Sequence, residues 1–242
     1  MFESIVFGFG LVLFFLSWYN PLPYGRFSDQ MPKLPLKIIP NRWFIGLANL
    51  PALVCLCFQT EGLSDLGYAV LAFLFTHFGF RTVVVPIVTG FIYTSDKKKV
   101  SVLTLIPLAI YNGFVGWTLA YMCTSLKGSM GDYWMDWPLL IGAGTCLLLN
   151  VYYDIYVNYL RCHCDDVKCT GDLYIKEESL CKKFELLFAL GITNPNYFFE
   201  IVEWGLILLL TWHTESFSYF LSTWLILWAR GLHNSLWYIC NK

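Results

Sequence analysis

Seven apolar runs fill most of this 242-residue chain: Phe2–Trp18, Trp43–Phe58, Leu66–Tyr93, Val102–Cys123, Trp137–Leu160, Phe198–Trp212 and Phe217–Ile239. Most are long enough to cross a hydrocarbon core of roughly 30 Å as a helix. Backbone groups in lipid must satisfy one another within the segment, so runs of this kind fold as α-helices. The third run carries Arg81 and Pro86, which predicts a tilt, kink or break there. The sixth is short, which leaves room for an earlier start near Phe184–Leu190.

Basic residues orient the runs. Segments 19–42, 94–101, 161–197 and the C-terminus hold thirteen lysines and arginines, and the opposite side holds Lys127 alone. That asymmetry predicts an odd number of spans with the N-terminus outside and the C-terminus cytosolic. Glu3 stands where a signal peptide has its basic region, and no small-residue cleavage site precedes Tyr19, so Phe2–Trp18 reads as a retained first helix. At 57% hydrophobic and 14% charged, the composition excludes an ordinary soluble domain. A net charge of −1 gives no electrostatic footprint for nucleic acid. The chain therefore reads as a single all-α integral membrane domain, 1–242, with N-terminal helices over 1–123 and C-terminal helices over 137–242.

Ionisable residues are sparse inside the runs, and most gather in the last three. Asn150 and Asp154 are four apart on the fifth run, with Arg161 at its cytosolic edge. Glu200 and Glu203, three apart on the sixth, share one helix face. Arg230, Asn234 and Tyr238 form a stripe on the seventh, and His77 and Arg81 are four apart on the third. A carboxylate at depth in a bilayer costs on the order of 2.5 kcal/mol or more. Cationic side chains of neighbouring helices or a polar ligand must therefore compensate the acids. Interhelical pairing accounts for any one of these residues. As a set, gathered near the cytosolic ends of consecutive spans, they predict a lined cavity with acceptors and phosphate-capable cations. With neither a G-x-G-x-x-G nor a Walker pattern in the chain, a nucleotide site here is of neither the Rossmann nor the P-loop kind. Cys162-His163-Cys164 with Cys169 lacks the paired spacing of zinc ribbons and fingers, so it reads as free thiols in a polar loop with no metal.

The segment Asn196-Tyr197-Phe198-Phe199-Glu200-Ile201-Val202-Glu203-Trp204 resembles the Asn-Tyr/Phe-x-Gly-Glu-x-x-Glu-Trp signature of the steroid 5α-reductases, NADPH-dependent membrane enzymes that reduce the 4,5 double bond of 3-oxo steroids. Asn150-x-x-x-Asp154 with Arg161 is similar to another element of that family, as are Gly171–Tyr174 and the closing Arg230…Trp237-Tyr238. Pro23-Tyr24-Gly25-Arg26 and His77-Phe78-Gly79-Phe80-Arg81-Thr82 resemble its N-terminal motifs. The resemblance implies seven spans, an endoplasmic-reticulum location and NADPH held by Asn150, Asp154, Arg161, Tyr174, Asn196, Glu200, Arg230 and Tyr238, with Arg81 as a further phosphate contact. It implies hydride addition to the β-carbon of an enone lipid, the carbonyl oxygen being hydrogen-bonded by a Tyr and a Glu.

At both of those catalytic positions this chain departs, with Phe78 in place of the Tyr and Asn49 in place of the Glu. Asn49 and His77 are the remaining catalytic candidates, with Trp43, Asn49 and Phe78 on the substrate side. Phe199 stands where the signature has Gly, and the resemblance also implies a cytosolic tail beyond Lys242. Two alternatives follow. One is a catalytically impaired relative that keeps a cofactor or lipid pocket. The other is an S-adenosylmethionine-dependent membrane methyltransferase of the isoprenylcysteine type, which Asn194-Pro195-Asn196-Tyr197 resembles and the Asn150/Asp154/Arg161 element argues against.

Overall fold

The computed structural model describes residues 2–19, 36–58, 61–92, 99–162 and 195–240. Every apolar run is helical over nearly all of its described part, with Cys57, Phe58 and Trp212 just past their helix ends. In chain order these are α1 (Phe2–Tyr19), α2 (Asn41–Leu56), α3 (Asp65–Gly79) continuing through a π-turn (Phe80–Val84) into α4 (Val85–Ile92), α5 (Val102–Ser125), α6 (Asp136–Cys162), α7 (Pro195–Thr211) and α8 (Thr214–Cys240). Among the described residues, Asp65–Phe91, Val102–Ser125 and Asp136–Tyr156 are long and apolar enough to cross a membrane, and Ser4–Phe15 and Trp43–Leu56 are shorter apolar helices. The segment near Phe184–Leu190, where an earlier start of the sixth run was expected, lies outside the described residues.

The outward faces of α2 and α5 are apolar. Leu47, Leu50 and Val54 on α2 and Leu103, Ile106 and Ile110 on α5 repeat at helical spacing and are exposed. That is the reverse of the polar outer stripe of a water-soluble helix, and it suits contact with lipid.

Helix starts follow their capping residues. Ser64 accepts from the Gly67 N–H at the start of α3, and Ser101 accepts from the Leu103 N–H at the start of α5. Ser64 also donates to the Leu126 carbonyl at 2.9 Å, tying the start of α3 to the end of α5. Helix α2 packs on α5, α6 on α7, and α1 on α8, while α1 also touches α5. The N-terminal helix thus closes the bundle against the C-terminal one. The larger apolar core, including Leu74, Leu119, Met122, Leu147, Trp204 and Ile207, runs through both halves of the sequence.

One small element was not expected. Lys37–Pro40 and Lys99–Ser101 pair as an antiparallel two-stranded ribbon, β1–β2, seated by Ile39, Phe44 and Val100.

The expected break in the third run is the π-turn. Pro86 has no N–H for the Thr82 carbonyl four residues back, and its ring crowds that carbonyl. The backbone widens, and the Val85 N–H bonds to the Phe80 carbonyl instead. Gly46 lets α2 press directly on this turn. A Cβ there would come within 2.7 Å of both the Thr82 carbonyl oxygen and Pro86 Cγ.

Candidate functional site

Arg81 sits in the π-turn, its side chain largely buried, and three side chains close around its guanidinium. Nη1 donates to Asp154 Oδ2 at 2.5 Å, and Nη2 donates to Glu200 Oε2 at 2.5 Å and to Asn150 Oδ1 at 3.1 Å. Asn150 and Asp154 reach it together because they are one helical turn apart on α6. Asp154 then accepts from Asn196 Nδ2 at 2.7 Å through its other oxygen. Asn196 follows Pro195, which opens α7 with the fixed φ suited to a first helical position. One network therefore joins the π-turn, the C-terminal part of α6 and the first turns of α7.

The network fixes the orientation of both amides. Asn150 must present its oxygen to Arg81, and Asn196 must present its nitrogen to Asp154. Asn150 Nδ2 and Asn196 Oδ1 are left over, one donor and one acceptor, both buried and without a hydrogen-bond partner among the described residues.

A second rung lies one turn deeper. His77 Nδ1 and Glu203 Oε1 are 2.5 Å apart, with side chains 2% and 0% exposed. Trp204 and Phe78 stand edge-on to the imidazole at 4.8 and 5.0 Å between centroids, and Tyr219 stands edge-on to Trp204 at 4.4 Å. Each acid of the signature thus meets a cation or an imidazole of the third run. The acids are three apart on α7, their partners are four apart on the third run, and the helices are antiparallel. Paired and hydrogen-bonded acids of this kind are the tolerated form of buried charge.

Other expected residues fall as follows. Arg230 lies over the Tyr197 ring, its guanidinium carbon 5.2 Å from the centroid, beside the residue that follows Asn196. Arg81, the further phosphate candidate, faces two carboxylates and an amide oxygen. Phe199 is buried and stacks on Tyr153 of α6 at 5.6 Å, so its ring fills an α6–α7 contact. Phe78 is wholly buried in the core, and Trp43 is exposed. Asn49 donates one of its two amide hydrogens to the Ile45 carbonyl of its own helix at 2.8 Å. Arg161 and Tyr238 lie in α6 and α8 with side chains outside the described residues, as is that of Asn234. Tyr174, Gly171 and the cysteine cluster beyond Cys162 lie outside the described residues altogether.

Glu203 was expected in the polar set but not among the cofactor or catalytic residues, and Tyr219 was not expected at all. Glu203 carried a signal, its three-residue spacing from Glu200. Tyr219 carried none, being one aromatic among many, yet it is buried edge-on against Trp204 beside the His77–Glu203 pair.

No protein-family model matches this chain, and no curated protein matches it either.

Proposed function

We propose that the chain is an integral membrane reductase that takes NADPH at the cytosolic end of its last spans and reduces the carbon–carbon double bond of an enone-bearing lipid of the 3-oxo-Δ4 steroid class. In this reading all seven runs span the bilayer, the N-terminus is outside, the C-terminus is cytosolic, and the membrane is that of the endoplasmic reticulum. The alternation fits the antiparallel pairing of the third run with α7, and it puts the Arg81 network on the basic, cytosolic side.

The observation that carries the cofactor half is the pair of leftover amide atoms. A buried polar atom without a partner is costly, about 1–3 kcal/mol, and native interiors rarely keep one. A primary carboxamide offers a carbonyl to Asn150 Nδ2 and an N–H to Asn196 Oδ1, and the nicotinamide ring carries such a group. When bound, a reduced nicotinamide supplies hydride to an electron-poor carbon. Arg81 has the role of holding Asp154, Glu200 and Asn150 in register. With one guanidinium facing two carboxylates, its cluster is a poor phosphate site, so phosphate falls to Arg230 and, by resemblance to the steroid 5α-reductases, to Arg161. Tyr174 and Tyr238 enter the proposal on that resemblance alone.

Reduced 3-acetylpyridine adenine dinucleotide phosphate tests the pairing, because it keeps the carbonyl and lacks the amide N–H. The expected result is affinity about tenfold below NADPH, the loss of one hydrogen bond to a buried acceptor. Equal affinity contradicts the assignment.

A second reading is favoured by a specific observation. Phe78 has no hydroxyl, and Asn49 gives one of its two amide hydrogens to the Ile45 carbonyl of its own helix, so the family's Tyr and Glu pair at the carbonyl is not reproduced. A relative that binds nucleotide without turning over would look like this. Reduction of an enone steroid by the purified chain separates the two.

A further inference from the structure

We infer that His77 and Glu203 form a dyad in which His77 Nε2 hydrogen-bonds the carbonyl oxygen of the lipid substrate and Glu203 is the positioning residue that holds the imidazole. The inference rests on the reductase reading and supplies it with a donor at the carbonyl. Reduction of an enone gathers negative charge on the carbonyl oxygen, and a donor placed there in a dry site is worth about 10²–10³ in rate. Phe78 cannot donate, and Asn49 turns one of its two amide hydrogens back to the Ile45 carbonyl of its own helix. His77, next to Phe78 on the third run, keeps a second ring nitrogen, Nε2, that Glu203 does not take.

Its environment is built for the task. Glu203 Oε1 takes Nδ1 at 2.5 Å, and the partner of one ring nitrogen determines what the other does. Burial tolerates this pair best when it is neutral overall. In that form the shared proton sits either on Nδ1 or on Oε1, and in both cases Nε2 keeps its hydrogen. The ring cannot swing away, because Phe78 and Trp204 stand edge-on to it at 5.0 and 4.8 Å. A purely structural pair is expected to satisfy its polar atoms. Here Glu203 Oε2 and the adjoining Trp204 Nε1 are buried without a hydrogen-bond partner among the described residues. An acceptor and a donor are thus left beside the imidazole, as expected where a polar ligand or its water completes the site. Arg81–Glu200 is one turn away on the same two helices, so the dyad adjoins the proposed nicotinamide site.

The test uses the full chain in lipid nanodiscs with NADP⁺ and a 3-oxo-Δ4 steroid carrying ¹³C at the carbonyl. Infrared difference spectra read the carbonyl stretch of the bound steroid without turnover. The wild type is expected to shift the band below its position in apolar solvent, and His77→Phe to return it there. Glu203→Gln is expected to weaken the shift and to lower kcat by about 10²-fold with KM little changed. An identical bound band in wild type and His77→Phe overturns the dyad, as does full kcat in Glu203→Gln. Absence of any bound band in the wild type overturns it too. Wild-type protein that binds no NADPH refutes the reductase reading itself, and the steroid band then still decides whether His77 meets a carbonyl.

Discussion

His77 of α3 and Glu203 of α7 meet at 2.5 Å in the centre of the bundle, and one turn away Arg81 and Glu200 meet at the same distance. The two rungs set the register of the third run against α7. They also turn the cost of placing two acids in a membrane segment into a specification of which helices must touch. Removing one partner of a buried charged pair leaves the other uncompensated.

Arg81→Met is the most damaging single change on this account, because it strands Asp154 and Glu200 together. The expected loss is about 3–5 kcal/mol, read as a lowered unfolding midpoint in detergent. Arg81→Met combined with Asp154→Asn and Glu200→Gln is expected to recover much of it, since neutral amides tolerate the vacated centre. Arg81→Lys is expected to fall between them, because a single ammonium lacks the fork that reaches three acceptors.

The π-turn is expected to depend on Pro86. Pro86→Ala restores an N–H for the Thr82 carbonyl and permits a regular helix through 80–84, which turns Arg81 away from Asn150, Asp154 and Glu200. The expected outcome is a folded protein whose NADPH affinity falls at least tenfold, measured by nucleotide fluorescence. Unchanged affinity separates the turn from the site.

Gly46→Val tests the close approach of α2. Its added side chain collides with the Thr82 carbonyl and Pro86, neither of which can move without shifting the turn. A destabilisation of about 1–3 kcal/mol is expected from such overpacking. Gly8→Ala, where a Cβ meets nothing within 4 Å, is the matched control and is expected to be near neutral.

Phe199→Gly restores the residue of the 5α-reductase-like signature and removes the ring stacked on Tyr153. The cavity and the helix penalty together are expected to cost about 3–5 kcal/mol. A neutral result would mean that the ring is not packed as observed.

Much of the helical framework was legible because lipid leaves the backbone few options. Each apolar run became a helix with ends within a few residues of the expected ones, and the charged and proline positions of the third run located the π-turn. The need to compensate Glu200 and Glu203 was legible too. Which cations would do it was not, because pairing across 119 or 126 residues is set by how helices stack and leaves no periodic trace. The structure gives Glu200 and Asp154 to Arg81 and Glu203 to His77, and lays Arg230 over Tyr197. The β1–β2 ribbon was missed for a similar reason. Its strands span only four and three residues, too short for an alternating pattern, and they lie some sixty residues apart.

The central claim is that the network around Asn150, Asp154, Asn196 and Glu200 receives a nicotinamide nucleotide. Binding of NADPH to the purified full chain, followed by nucleotide fluorescence with S-adenosylmethionine as the competing ligand, tests it most directly. The account predicts saturable NADPH binding that S-adenosylmethionine does not displace and that Asn196→Leu weakens at least tenfold. Binding of S-adenosylmethionine in place of NADPH, or of neither, would contradict it.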